Sequence, residues 1–212
     1  MGTRGLYGFR KDGMDKTTYN HCDSYPDCLG AAMLGFCAGT SNEEMRSIFD
    51  RIILVNEADK PTPEQIEACK DYVDLTVSTQ SEHDWYCLLR NLQGEPEKWK
   101  QIKGPIFMID NHDFIKDSLF CEYAYIIDLD EEVLEYWIGF QRKPDPLNPY
   151  GDEKDEDGYF PCKKLFEFSL EELRCTKDVE GCVARMEDAE AIEQVLLDLS
   201  EALRDIYKEM GI

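Results

Sequence analysis

The sequence has no run of about 18 apolar residues, so no segment is built to cross a bilayer as a helix. It is also poor in positive charge: 23 Lys and Arg stand against 45 Asp and Glu, a formal net charge of −22. A field of that sign repels phosphate backbones and anionic lipid surfaces, which argues against direct nucleic-acid binding and attachment to a membrane surface. Histidine is scarce, at three residues, and no two of the nine cysteines stand at C-x-x-C spacing. That removes the commonest zinc and redox patterns, and neither a metal nor a cofactor is expected. Arg4, Arg10, Lys11 and Asp12 interrupt any apolar stretch at the start, so no secretion signal is expected. Leu6 occupies the position where an N-myristoylation signal needs Ser or Thr. With an odd cysteine count and no export signal, the thiols are expected to be reduced and the location cytoplasmic.

What remains is ample for a core. Of 212 residues, 42% are hydrophobic and 11% aromatic, and neither a repeat nor a linker divides them, so a single domain over 1–212 is expected. Residues 3–9 and 16–20 suit two strands around the turn chemistry of Lys11-Asp12-Gly13, although Gly2, Gly5 and Gly8 weaken the first. Residues 29–39 are small and apolar enough for a buried helix ended by Gly39. Three start signals follow. Ser41 with Glu44 caps a helix whose apolar stripe runs Met45, Ile48, Phe49, Ile52; Thr62, Pro63 and Gln65 form a second cap; Ser81 opens a third helix carrying Trp85, Leu88, Leu89 and Leu92.

The second half changes period. Residues 105–110 suit a buried strand and 111–119 a brief helix, while 121–140 is the clearest hairpin, two aromatic and β-branched arms around Asp128 to Glu132. Residues 143–161 form an acidic, Pro-rich loop. Within it Glu153, Asp155, Asp157 and Gly158 imitate the start of an EF-hand loop, but Lys164 falls where the bidentate Glu belongs, so a solvated charge run is expected. Residues 164–169 read as another strand, and 187–209 as a long amphipathic helix that either covers the sheet or joins two copies into a homo-oligomer. The expected fold class is α+β, a mostly antiparallel sheet built from the N-terminal and 121–140 hairpins and packed by several helices.

The residues with chemistry gather early. Tyr19, Asn20, His21, Cys22, Asp23, Ser24 and Tyr25 bring a base, a thiol, a carboxylate and several hydrogen-bonding groups into one short polar turn. His21 stands out among three histidines that each have an acid nearby, the others being His83 beside Asp84 and His112 beside Asp113. Residues 1–20 are also locally basic, Arg4, Arg10, Lys11 and Lys16 outnumbering Asp12 and Asp15, which suits a small anionic ligand or an acidic partner surface. The ligand-binding set expected on these grounds is Arg4, Tyr19, Asn20, His21, Asp23 and Tyr25.

The opening MGTRG and the later TYNHCDSYPDCLG resemble a family found in bacteria, phages and large DNA viruses that opens MGTRG…YNHxDSYPxGLG, with Cys28 here in place of its Gly. The resemblance brings no established activity; it implies a viral or phage-type accessory protein, for example an inhibitor of a host defence component. A second likeness is to N-terminal-nucleophile hydrolases, whose N-terminal hairpin begins with the nucleophile and is soon followed by Arg. Arg4 and the hairpin match that outline, but removal of Met1 would leave Gly2, and only a further cut would expose Thr3. Three functions follow: a binding protein for a small ligand or a protein partner; an amide-bond hydrolase using Thr3 or Cys22 with His21 as base; and an acidic decoy for a basic partner, using the run at 152–157.

Overall fold

The computed structural model describes residues 2–210. Its centre is a five-stranded mixed sheet in the order β2-β1-β5-β6-β7, formed by β1 (Gly5–Lys11), β2 (Met14–Asn20), β5 (Tyr123–Asp128), β6 (Val133–Ile138) and β7 (Lys163–Ser169). Both expected hairpins are present. β1 pairs antiparallel with β2, and β5 with β6; the two hairpins join edge to edge where β1 runs parallel to β5. The fold is therefore α+β, with three of the four strand interfaces antiparallel.

Alternation sends Tyr7, Phe9, Tyr125, Ile127, Leu134, Tyr136 and Phe168 to one face of the sheet, where they are buried under helices. The cover consists of α1 (Ala31–Ala38), α2 (Asn42–Arg51), α6 (Leu170–Thr176) and the first part of α7 (Val179–Met210). Trp99, on α5 (Lys98–Gln101), stacks on Tyr7 with ring centroids 5.4 Å apart. Burying each of these large side chains is worth about 1.5–3 kcal/mol. The opposite face holds Leu6, Ala124, Ile126 and Trp137 with Ile115, Cys121 and Cys162, a smaller apolar cluster. Beside it Arg10 meets Asp15, Asp128 and Glu135 at 2.8, 3.4 and 3.0 Å. Residues 141–162, which carry no helix or strand, cross this face; Tyr150 donates to Asp15 at 2.6 Å and packs edge-on against Trp137.

Gly8 explains why a strand tolerates glycine here. Its φ is +153°, and a Cβ would sit 2.2 Å from the Lys16 carbonyl oxygen across the hairpin.

Three expectations need correction. Ile52 does not close the helical stripe of α2: the backbone turns extended there, and β3 (Ile52–Val55) pairs in parallel with β4 (Ile106–Ile109) as a separate two-stranded sheet. The third helix starts at Asp84 rather than Ser81, because Asp84 accepts from Tyr86 N–H while Ser81 Oγ only closes a turn onto His83 N–H. That helix, α4 (Trp85–Leu88), is one turn long. The brief helix expected within 111–119 does form, as a 3₁₀ helix at His112–Lys116. The last helix begins at Val179, eight residues before the expected start at 187. The caps at Ser41 and Thr62 form as read: each hydroxyl accepts the backbone N–H three residues on, and Gln65 closes the reciprocal bond to Thr62. The helix α3 (Pro63–Cys69) and α4 close a third apolar cluster over the small sheet, around Trp85, Leu88, Leu92 and Ile109.

Candidate functional site

The polar turn after β2 is held by its own side chains and by the sheet. Asn20 is buried and donates through Nδ2 to the Cys22 carbonyl at 2.6 Å and to Ser24 Oγ at 2.8 Å. Ser24 N–H donates to the Thr3 carbonyl at 3.2 Å, and the Ser24 carbonyl accepts from Tyr125 OH at 3.0 Å. Asp23 supplies the left-handed residue, φ +57°, that reverses the chain. Gly30 N–H then reaches the Tyr25 carbonyl five residues back, a wide turn that leads directly into α1.

This architecture disperses the expected set. Asn20 and Ser24 face inward as brackets. Asp23 is exposed on the turn, and Tyr25 leans over Tyr123 on the α7 side, with centroids 5.9 Å apart. Thr3 is buried, and no hydrogen bond joins His21 to Thr3, Cys22 or Cys28 among the described residues. Cys28 is exposed, but desolvation and then the neighbouring Asp27 raise its thiol pKa, the opposite of nucleophile activation. Arg4 lies over the Phe120 ring at 4.5 Å, and its guanidinium pairs with no carboxylate among the described residues. The other basic side chains of residues 1–20 are engaged. Arg10 holds the three carboxylates, Lys11 pairs with Asp50 at 2.7 Å, and Lys16 Nζ donates to the Phe49 and Ile52 carbonyls.

Two of the expected residues do converge, on groups from elsewhere in the chain. Tyr19 OH and His21 Nδ1 are 3.3 Å apart, and their rings continue an aromatic row: Phe114 to Tyr19 at 5.2 Å, Tyr19 to His21 at 6.1 Å, His21 to Tyr86 at 6.3 Å, each edge to face. Next to this row opens a cleft of about 250 Å³ lined by Thr18, Tyr19, Glu57, Tyr86, Gln93, Ile109 and Asn111. β2 is the sheet's edge strand here, and Asn111 completes it. Asn111 N–H donates to the Thr17 carbonyl at 3.1 Å, and its Oδ1 accepts from Tyr19 N–H at 3.0 Å. That leaves Asn111 Nδ2 on the cleft wall without a partner among the described residues. Gln93 is oriented likewise: its Oε1 accepts from Arg90 at 3.0 Å, which turns Nε2 away from Arg90.

Burial favours neutral phenols in the cleft and works against the charge on Glu57. Burial, then Tyr86, raises the Tyr19 pKa; burial is also the main cause that raises Tyr86. Desolvation, with Asp84 second, raises Glu57. Asp84 sits behind Tyr86 as the cap of α4. Burial opposes its charge, but hydrogen bonds from Thr79, Ser78, Tyr86 N–H and Cys87 outweigh that and bring its pKa down to about 2.

Tyr86, Glu57, Gln93 and Asn111 were outside the expected set. Their sequence neighbourhoods are ordinary turns and helix starts; only the pairing of β3 with β4 and the docking of Asn111 on β2 bring them together. A larger groove of about 520 Å³ runs between α7 and residues 140–146, with Lys163 and Glu193 paired across it at 2.6 Å. Comparison of the chain with family models, curated proteins and solved structures found no match.

Proposed function

We propose that this is a binding protein and that the cleft beside β2 holds a small planar ligand with a hydrogen-bond-donating or cationic edge. The assignment is supported above all by the aromatic row Phe114–Tyr19–His21–Tyr86 standing beside Glu57, Gln93 and Asn111. Rings supply stacking faces, the two amide nitrogens donate to carbonyl-type acceptors, and Glu57 accepts from an amine or pairs with a cation. An acidic protein also concentrates cations near its surface, which suits such an edge. Capture without turnover fits the accessory role that the N-terminal resemblance implies, an inhibitor that sequesters what a host system needs.

The test is a thermal-shift and calorimetric screen with planar amines and nucleobases, repeated on Tyr86→Ala and Glu57→Gln. A ligand that stabilises the native chain should lose at least about tenfold in affinity on each variant, roughly the worth of one stacking or charged contact. Affinity unchanged in both variants, or no ligand in the panel, would sink the assignment.

A further inference from the structure

The helix α7 is mounted with its polar side inward. Glu190 accepts from Tyr123 OH at 3.0 Å and Tyr136 OH at 3.4 Å, Glu193 pairs with Lys163, and Leu197 lines the groove beneath. On the opposite side Ile192, Val195, Leu196, Leu199, Leu203 and Ile206 are 45–64% exposed. At 100° per residue Leu199 points about 160° away from Leu197, so this stripe faces away from the body that carries it. Six aliphatic side chains open to that degree present roughly 600 Å² of apolar surface, the upper end of what a monomer shows.

We propose that a second copy of this chain covers the stripe, the two α7 helices packing antiparallel. The spacing is that of a helix seam: positions 192, 196, 199, 203 and 206 alternate four and three residues apart, the period at which two helices supercoil. Asp188, Ala191, Ile192 and Val195 outline a shallow depression, the i, i+3, i+4, i+7 diamond that accepts a knob from a facing helix. The area also matches, since roughly 600 Å² of apolar stripe plus its flanks approaches the approximately 800 Å² per partner of a standard interface.

Charge selects the occupant and its direction. From Ile192 to Ile206 the stripe itself carries no charged residue in a protein of net charge −22, and Ala202 and Ser200 flank its middle. A seam of that kind needs no complementary charge from its partner and tolerates a copy of itself. Asp188 lies in line with the stripe at its N-terminal end. A parallel pair would set the two Asp188 carboxylates face to face and crowd two acidic bodies together. An antiparallel pair, with Leu199 of one copy near Leu203 of the other, places them roughly 40 Å apart, well beyond the screening length of about 10 Å.

Sedimentation equilibrium on the full chain should show a concentration-dependent dimer that tightens as salt rises, because screening relieves the repulsion between acidic bodies. Leu199→Glu with Leu203→Glu should weaken it at least about 100-fold with an unchanged circular dichroism spectrum, whereas Leu147→Glu, on another exposed leucine, should leave it intact. A native chain monomeric at every concentration, or a double variant that still dimerises, would overturn the proposal. Orientation is read from a spin label on Glu187→Cys, which leaves Asp188 in place, in a Cys22→Ser, Cys28→Ser, Cys175→Ser background. A distance near 40 Å is expected, and one near 10 Å would refute the antiparallel arrangement.

Discussion

The two ends of the chain treat amphipathicity in opposite ways. The N-terminal hairpin turns Tyr7 and Phe9 into the main core, leaving Lys11 and Asp12 at its tip. The helix α7 does this only over its first turns, where Cys182 and Met186 are buried; beyond them carboxylates face the body and aliphatic side chains face out. An apolar pattern therefore tells which side chains want to be covered, not by what. In the hairpin the cover lies within the same chain. In α7 the sheet is already occupied by α1, α6 and the start of α7 itself, so the remaining stripe has no surface left to meet.

Substitutions in the two regions, with one at a cap outside both as a yardstick, can break this comparison. Phe9→Ala should show the largest effect, about 3–5 kcal/mol in urea unfolding, because its ring is enclosed by Phe36, Phe49 and Trp99. A loss under about 1 kcal/mol there would mean that the hairpin is not anchored as described. Asp84→Ala should come next at about 1–2 kcal/mol, through the lost cap of α4. Because the folded pKa of Asp84 is depressed to about 2, this difference should be present in full above its ordinary value near 3.8 and should fade as pH falls toward 2. Paired urea titrations at several acidic pH values read it directly, and a difference that grew on acidification would contradict the hydrogen bonding assigned to Asp84. Smallest is Leu199→Ala, within about 0.5 kcal/mol when measured dilute enough to be monomeric, since the side chain is exposed. A core-sized loss there would mean that α7 packs against its own body after all.

The clearest local signals were those whose physics is local. Ser41, Thr62 and Gln65 announce their caps because the bonds close within three residues, and the two hairpins are legible because alternation and turn chemistry lie in one short stretch. The candidate site was legible only in part. Tyr19 and His21 were singled out for the company they keep in sequence, yet the neighbours that suggested a centre, Asn20, Asp23 and Tyr25, are dispersed by the turn's own hydrogen bonds. Tyr86 and Glu57 carry no signature, because a tyrosine after a cap and a glutamate in a loop are ordinary until another element meets them. The basic character of residues 1–20 was read correctly as composition, but Arg10, Lys11 and Lys16 are engaged by Asp15, Asp50 and the Phe49 and Ile52 carbonyls, partners that pairing and packing supply.

By itself, then, the sequence determined the α+β class, the two hairpins, the caps at Ser41 and Thr62, the acidic surface and an apolar stripe on the last helix, since each follows from local conformational preference or from composition. Only the tertiary structure decided that the hairpins join in parallel, that Asn111 completes the edge of β2 to form a cleft, and that the stripe of α7 faces outward. Those outcomes depend on contacts between residues from 30 to more than a hundred positions apart, where the burial of one surface removes it from the choices open to the next.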